Sequence, residues 1–312
     1  MESHRRAQGR GVRAMNRAGA GRTERESRGL PALRATAGSM PNVRTAGEVP
    51  SRPTPARFRA LVWRYWKKYG RHDLPWRKTK DPYSILVSEM MLQQTQVPRV
   101  IGKYKEFLKS FATIQSLARA PLGNVLKVWS GLGYNRRAKS LHDTAKILAK
   151  NGVHFNGPTG LLQCPGVGPY TRAAVRVFAF NEPEVLIETN IRTAFIHHFH
   201  SNVLQNVRIS DVEILPLATL AARGQDPRTW HWALMDYGAY LKKSGVRNNS
   251  RSAHYAKQSK FEGSLRQVRG AILRQLSEGK QPRGDASRLR LALRGLERDG
   301  LIVKEKGKWR IA

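Results

Sequence analysis

The sequence predicts an all-α protein with a small winged-helix-like module at its C-terminal end and a disordered basic tail at its N-terminal end. Three observations predict it. Apolar residues recur at helical spacing from Ala56 onward; a glycine-bracketed turn, Cys164-Pro-Gly-Val-Gly168, joins two helical stretches; strand-like text appears only after Gly300.

Composition sets the frame for the elements. A chain of 312 residues has room for one or two domains with a real core. Its net charge of +34 and pI near 11.2 point to a polyanionic partner, nucleic acid first and an acidic membrane surface second. No run of eighteen or so apolar residues exists to span a bilayer, and the N-terminus lacks an apolar signal core. The single cysteine, Cys164, allows no internal disulfide and no all-cysteine metal site. These features predict a monomer with a cytoplasmic, nucleoid-associated location.

Met1 to Pro55 is rich in Arg, Gly, Ala and Ser and poor in large apolar residues, which predicts disorder. Three readings of it stay open: a sliding tail that binds DNA without sequence preference, an extension from a misplaced start codon, and an Arg-rich presequence, which its glutamates disfavour. From Ala56 an aromatic helix begins. Leu74-Pro-Trp-Arg77 predicts a rigid turn, and Asp81-Pro82 starts a helix running to about Leu92. That helix has Ile85, Leu86, Val87 and Met90 to bury, with Glu89 among them. Glu89 is either a paired structural acid or a functional one, and the amides of Gln93-Gln94-Thr95-Gln96 follow at the helix end.

Val97 to Ala149 predicts three more helices, two of them joined by the turn Trp129-Ser-Gly-Leu-Gly-Tyr134. Leu132 and Tyr134 on this loop are either core plugs or wedges for a base stack. Arg136, Arg137 and Lys139 then form a basic stripe, suited to phosphates or to a solvated helix face. A short helical segment from Pro158 to Gln163 leads into the glycine turn and a second helix from Pro169 to Phe180. Gly166 and Gly168 offer backbone angles closed to other residues, and Pro169 suits a first helical turn. Free N–H groups at that helix start make an anion site. Glu188 follows in the apolar context Val185-Leu-Ile-Glu-Thr-Asn190. A plain connector with a capping acid is the competing reading.

Two or three helices follow Thr193, then a basic loop from Lys242 to Ser252. Gly263 to Ala312 predicts helices near Leu265–Leu276 and Ala286–Asp299 and two short strands around a glycine turn. That pattern looks like a winged helix, a docking tail being the alternative.

The hairpin with its downstream acid resembles the helix-hairpin-helix glycosylase superfamily. Together with LPWR (Leu74 to Arg77), DPYSILVSEMMLQQTQV (Asp81 to Val97) and WSGLGYNRRAKSL (Trp129 to Leu141), it resembles the MutY-type adenine DNA glycosylases over roughly Arg57 to Tyr255. The resemblance implies a two-lobed domain over 56–260, with a six-helix lobe over about 83–193, followed by the module at 263–312. It also implies monofunctional hydrolysis of the bond to an adenine flipped from double-stranded DNA, mispaired with 8-oxoguanine or guanine.

Such chemistry needs one carboxyl to protonate the leaving base and one carboxylate to stabilise the cationic sugar. On the matching positions, Glu89 is the acid, Glu188 the sugar-side carboxylate, kept ionised by a cationic groove, and Asn190 its neighbour near the sugar. Tyr170 stands where lyase-active relatives hold a lysine nucleophile, which implies no strand cleavage. Gln94, Thr95, Leu132 and Tyr134 would fill the duplex and contact the opposite base. Gly166, Val167 and Gly168 would clamp the strand, Arg136 and Arg137 would meet phosphates, and Arg77 and Trp232 would border the base pocket.

The chain departs from that pattern in four places. Glu188 replaces the usual aspartate, and Trp232 falls where the family carries a Glu or Gln that reads adenine. Lys242 stands where the first cysteine of an iron–sulfur cluster would be, so no metal or cofactor is expected. The family's C-terminal lesion-sensing domain gives way to the winged-helix-like piece. Two other activities stay open: removal of thymine or uracil mispaired with guanine, and DNA binding without turnover.

Overall fold

Helix starts are written into the chain by a repeated device. Thr54, Asp81 and Asp226 each accept a hydrogen bond from the backbone N–H three residues on, and each is followed by proline. These caps open α1 (Pro55–Tyr69), α2 (Pro82–Leu92) and, much later, α10 (Pro227–Lys243). The computed structural model describes residues 52–152, 155, 161, 163–204 and 206–312. The expected tail, apart from its last residues, and most of the helical segment expected over Pro158 to Gln163 lie outside the described residues.

Between α2 and the glycine turn come four helices rather than three: α3 (Val97–Ser110), α4 (Ile114–Arg119), α5 (Leu122–Trp129) and α6 (Arg136–Lys150). The extra break arises because Thr113 and Ser116 form a capping box that starts α4, and Pro121 ends it after six residues. After the glycine turn, α7 (Pro169–Val175) widens into a π-helical turn over Arg176–Phe180. Then come α8 (Thr189–Phe199), α9 (Asp211–Ala222) and α10.

The helices pack in two groups. One holds α2 to α7 around Leu86, Met90, Phe107, Trp129 and Leu141, all buried. The other sets α1 against α8, α9 and α10 around an aromatic cluster, in which Phe58 meets Phe195, Phe199, Trp230 and Tyr237 within 6.5 Å. The chain thus returns from its C-terminal half to its first helix.

One contact fixes α8 against α10. A Cβ on Gly238 would stand 1.9 Å from the carbonyl oxygen of Asn190, so only glycine lets the two backbones approach. At the C-terminal end, α11 (Leu265–Ser277) and α12 (Ala286–Arg298) pack on an antiparallel pair, β1 (Ile302–Glu305) and β2 (Lys308–Ile311), with Ile302 opposite Ile311. Helix, helix and hairpin follow in the expected order. No helix among the described residues is long and apolar enough to cross a membrane.

Candidate active site

Glu89 occupies the middle of α2, among Ile85, Leu86, Val87, Met90 and Met91, which are core residues. Only 9% of its surface is exposed. Burial, and secondly the negative charge of Glu188, push its carboxyl up to about 7. Tyr170, in the first turn of α7, hydrogen-bonds to Glu89 and pulls weakly the other way. Burial and the two acids hold the Tyr170 phenol well above its ordinary value, so it remains a neutral donor.

Glu188 is the N-cap of α8. Its Oε1 accepts the backbone N–H of Asn190 at 2.8 Å and of Ile191 at 2.9 Å, and its Oε2 accepts Asn190 Nδ2 at 3.1 Å. It therefore caps a helix and also faces the second acid. Burial pushes its carboxyl up, while the two backbone N–H groups, Lys242 and Arg192 oppose that rise. The net direction is upward, so burial outweighs the donors and the two cations, and these groups, not an open cationic groove, are what favour the ionised form. Among the described residues Glu188 has three donors and Glu89 one, Tyr170, so the two acids sit in unequal surroundings.

Tyr170 and Asn190 are the expected residues that touch the pair. Gly166 turns with φ +74, and a side chain there would strike Ser140 at 2.7 Å and crowd Met90 at 3.1 Å, so the hairpin lies directly on α2. Gly168 has ordinary extended angles, contrary to expectation; what its lack of a side chain leaves is open space beside the start of α7. Val167 turns its side chain into the core, and its main-chain N–H donates to the Cys164 carbonyl at 3.2 Å. Gln94 and Tyr134 both take left-handed backbone angles, φ 54 and 48, uncommon for residues with side chains. Arg136 is exposed, with only a 3.8 Å contact to Asp299.

Two expectations are corrected. Leu132 is 3% exposed and plugs the core instead of presenting a wedge. Arg137 is no phosphate contact: its guanidinium is buried, donating to the carbonyls of Met90, Met91, Gln93, Leu132 and Gly133 and to Thr95 Oγ1. It staples the α2 terminus to the 129–134 loop, and it occupies Thr95 in doing so. Arg77 donates through both terminal nitrogens to Asp236 at 2.8 and 2.9 Å, which fixes its guanidinium beside Trp232. Trp232 remains half-buried, stacked on Phe178 at 5.7 Å with the Arg77 guanidinium 5.4 Å from its ring.

Sequence reasoning missed several groups. Tyr134 sits between the guanidiniums of Arg137 and Arg266, each 5.4 Å from its ring, and Arg266 donates to its hydroxyl at 2.5 Å. The C-terminal module thus braces this loop. His231 accepts the N–H of Leu186 at 3.0 Å and donates to the Pro227 carbonyl at 2.6 Å, fixing the extended segment that leads into Glu188. Arg192 is held by Asp211 at 2.6 and 2.7 Å. Lys242 donates to Asn190 Oδ1 at 2.8 Å.

An iron–sulfur cluster needs about four ligands, mostly thiolates. The chain has one cysteine, buried in the hairpin turn, and no cluster of His, Cys, Asp or Glu among the described residues could hold a metal. The residues present do not fit such a group.

Residues 87–216 match the family model described as the HhH-GPD superfamily base excision DNA repair protein. An adenine DNA glycosylase of Mycolicibacterium smegmatis is 32% identical over 235 residues, 70% of this chain and 80% of the relative. The chain belongs to the HhH-GPD superfamily, on its adenine DNA glycosylase branch. A further adenine DNA glycosylase, from Buchnera aphidicola subsp. Baizongia pistaciae, is 38% identical over 148 residues, 47% of this chain and 42% of that relative, so the match spans less than half of that protein's length. Among solved structures, a thermostable thymine-DNA glycosylase aligns with a TM-score of 0.53 and 25% identity, covering 64% of this chain and 96% of that one. The family model takes in both acids, the hairpin and α8, and stops short of Trp232, Lys242 and the winged-helix-like module.

Proposed function

We propose that the protein is a monofunctional DNA glycosylase that removes adenine mispaired with 8-oxoguanine or guanine in duplex DNA and works without an iron–sulfur cluster. The observation that carries this reading is the approach of two acids from distant parts of the chain, Glu89 buried on α2 and Glu188 half-buried at the start of α8, with Tyr170 facing both. Their unequal surroundings divide the labour. Glu89, neutral below about 7, protonates the leaving base as the glycosidic bond breaks. Glu188, held ionised, offsets the positive charge on the sugar. Water then adds to the anomeric carbon, and its released proton restores Glu89.

The target base must first leave the stack, at a cost of about a few kcal/mol. Tyr134 and Gln94 serve as duplex-filling residues, and the hairpin main chain at Gly166 to Gly168 grips the strand. Tyr170 offers a phenol where a Schiff base would need an amine, so the strand stays intact. Trp232, stacked on Phe178, supports a second reading in which the pocket takes a mispaired thymine or uracil.

Single-turnover assays on duplexes carrying adenine opposite 8-oxoguanine, adenine opposite guanine, and thymine or uracil opposite guanine test both. Release of adenine alone, with no borohydride-trapped adduct, is the expected result. Release of pyrimidine alone transfers the site to the second reading, and release from none leaves a DNA binder.

A further inference from the structure

We propose that Lys242 is a positioning residue of the active site, holding Asn190, and through it the Glu188 carboxylate, beneath the reacting sugar. This rests on the reading of Glu89 and Glu188 as the reacting acids.

The placement follows from helix geometry. Gly238 and Lys242 are four residues apart on α10 and so share one face. Gly238 lets that face press on the Asn190 main chain, and one turn further on the Lys242 ammonium meets the Asn190 side chain at 2.8 Å. Asn190 spends its other amide atom on Glu188 Oε2 at 3.1 Å. The result is a chain of two hydrogen bonds from a cation to the carboxylate. Lys242 is half-buried and makes no ion pair among the described residues, so its charge is left for this site.

On the resemblance carried by the sequence, Lys242 falls where cluster-bearing relatives have a first cysteine ligand, and the residues here fit no cluster. The loop that follows is braced by protein groups instead. Asn248 Nδ2 donates to the Thr193 carbonyl at 3.0 Å, Thr193 Oγ1 to Asn249 Oδ1 at 2.7 Å, and Ile209 N to the Arg251 carbonyl at 2.7 Å. The first two bonds tie the loop to α8, the third ties it to the segment before α9, and Lys242 ties it to the reacting acid.

The charged and titratable groups facing Glu188 are Glu89 from α2, Tyr170 from α7, Arg192 from α8 and Lys242 from α10, with Asp211 of α9 behind Arg192. Removing the Lys242 charge makes the ionised form of Glu188 harder to keep. The acid limb of the pH–rate profile then moves to higher pH, by about one unit, while the limb set by Glu89 stays.

The experiment compares Lys242→Met, Lys242→Gln and Lys242→Arg with Lys243→Met, the exposed neighbour, as the control for general loss of charge. Two readouts are taken: single-turnover pH profiles, and the Glu188 carboxyl pKa by carbon NMR, assigned through Glu188→Gln. Support is an upward shift in Lys242→Met and Lys242→Gln, recovery in Lys242→Arg and none in Lys243→Met. An unchanged Glu188 pKa in folded Lys242→Gln overturns the proposal, as does an equal rate loss at every pH. If the wild-type protein releases no base from any duplex, the functional reading fails, and the NMR arm still decides whether Lys242 governs Glu188.

Discussion

The middle of α2 buries one glutamate and the N-cap of α8 half-buries another, and they treat it differently. Around Glu89 the neighbours are Ile85, Leu86, Val87 and Met90, with one phenol as donor. Around Glu188 a helix start supplies two N–H groups, Asn190 a third, and Lys242 and Arg192 positive charge. Burial alone would push both carboxyls up together. Burial is the largest influence on both acids and raises both; what differs is the opposition, which at Glu188 comes from helix-start donors and two cations and at Glu89 from the Tyr170 phenol.

Removing either acid is the most severe way to break this comparison. Glu89→Gln is expected to lower base release about 10²–10⁴-fold, the range for a lost general acid. Glu188→Gln should lower it about 10²–10³-fold, as for a lost electrostatic stabiliser. Both should still bind duplex, measured by fluorescence anisotropy alongside single-turnover release. Full activity in either variant removes that residue from the reaction.

A steric probe comes next. Gly238→Ala forces α10 off the Asn190 main chain and should destabilise the fold by about 1–3 kcal/mol, as overpacking does. Urea denaturation reads that loss, and an unchanged midpoint would show that α8 and α10 part easily.

How much of this was legible in the chain depends on the kind of contact. Glu89 was conspicuous as one acid in an apolar helix, and the glycine hairpin and Glu188 stood out by spacing. Side-chain direction on neighbouring residues was not legible. Arg136 and Arg137 are adjacent, so helix rotation sends the first to solvent and the second inward to Thr95 and the α2 carbonyls. Leu132 and Tyr134 share a loop, yet one plugs the core and the other lies between two guanidiniums. The Lys242–Asn190 bond joins residues far apart in sequence through a helix crossing that depends on Gly238. Only a small residue four positions before the lysine hinted at it.

Titration sharpens the comparison more gently. Glu89 binds its proton up to about 7 in the folded protein, against an ordinary value of 4.5. Between those values the folded state holds a proton that the unfolded chain has lost, so this group's contribution to stability declines as pH rises through that window and levels off above it. Thermal melts should show Glu89→Gln gaining on the wild type as pH rises to about 7, and gaining no more above it. The catalytic limb runs the same way, with base release falling about tenfold per unit once pH exceeds about 7.

The smallest expected effect isolates the Tyr170 donor that faces Glu89. Tyr170 hydrogen-bonds to Glu89 and lowers its pKa, against the larger rise from burial. Tyr170→Phe deletes the hydroxyl and keeps the ring, so the Glu89 proton should be held to higher pH and the alkaline limb should move up. The rate at about pH 7 should change less than about tenfold, because the acid is still present and still protonated. A pH profile for Tyr170→Phe that shifts downward would mean that the phenol supports the protonated acid, and the division of roles between α2 and α8 would then have to be drawn from Glu188 alone.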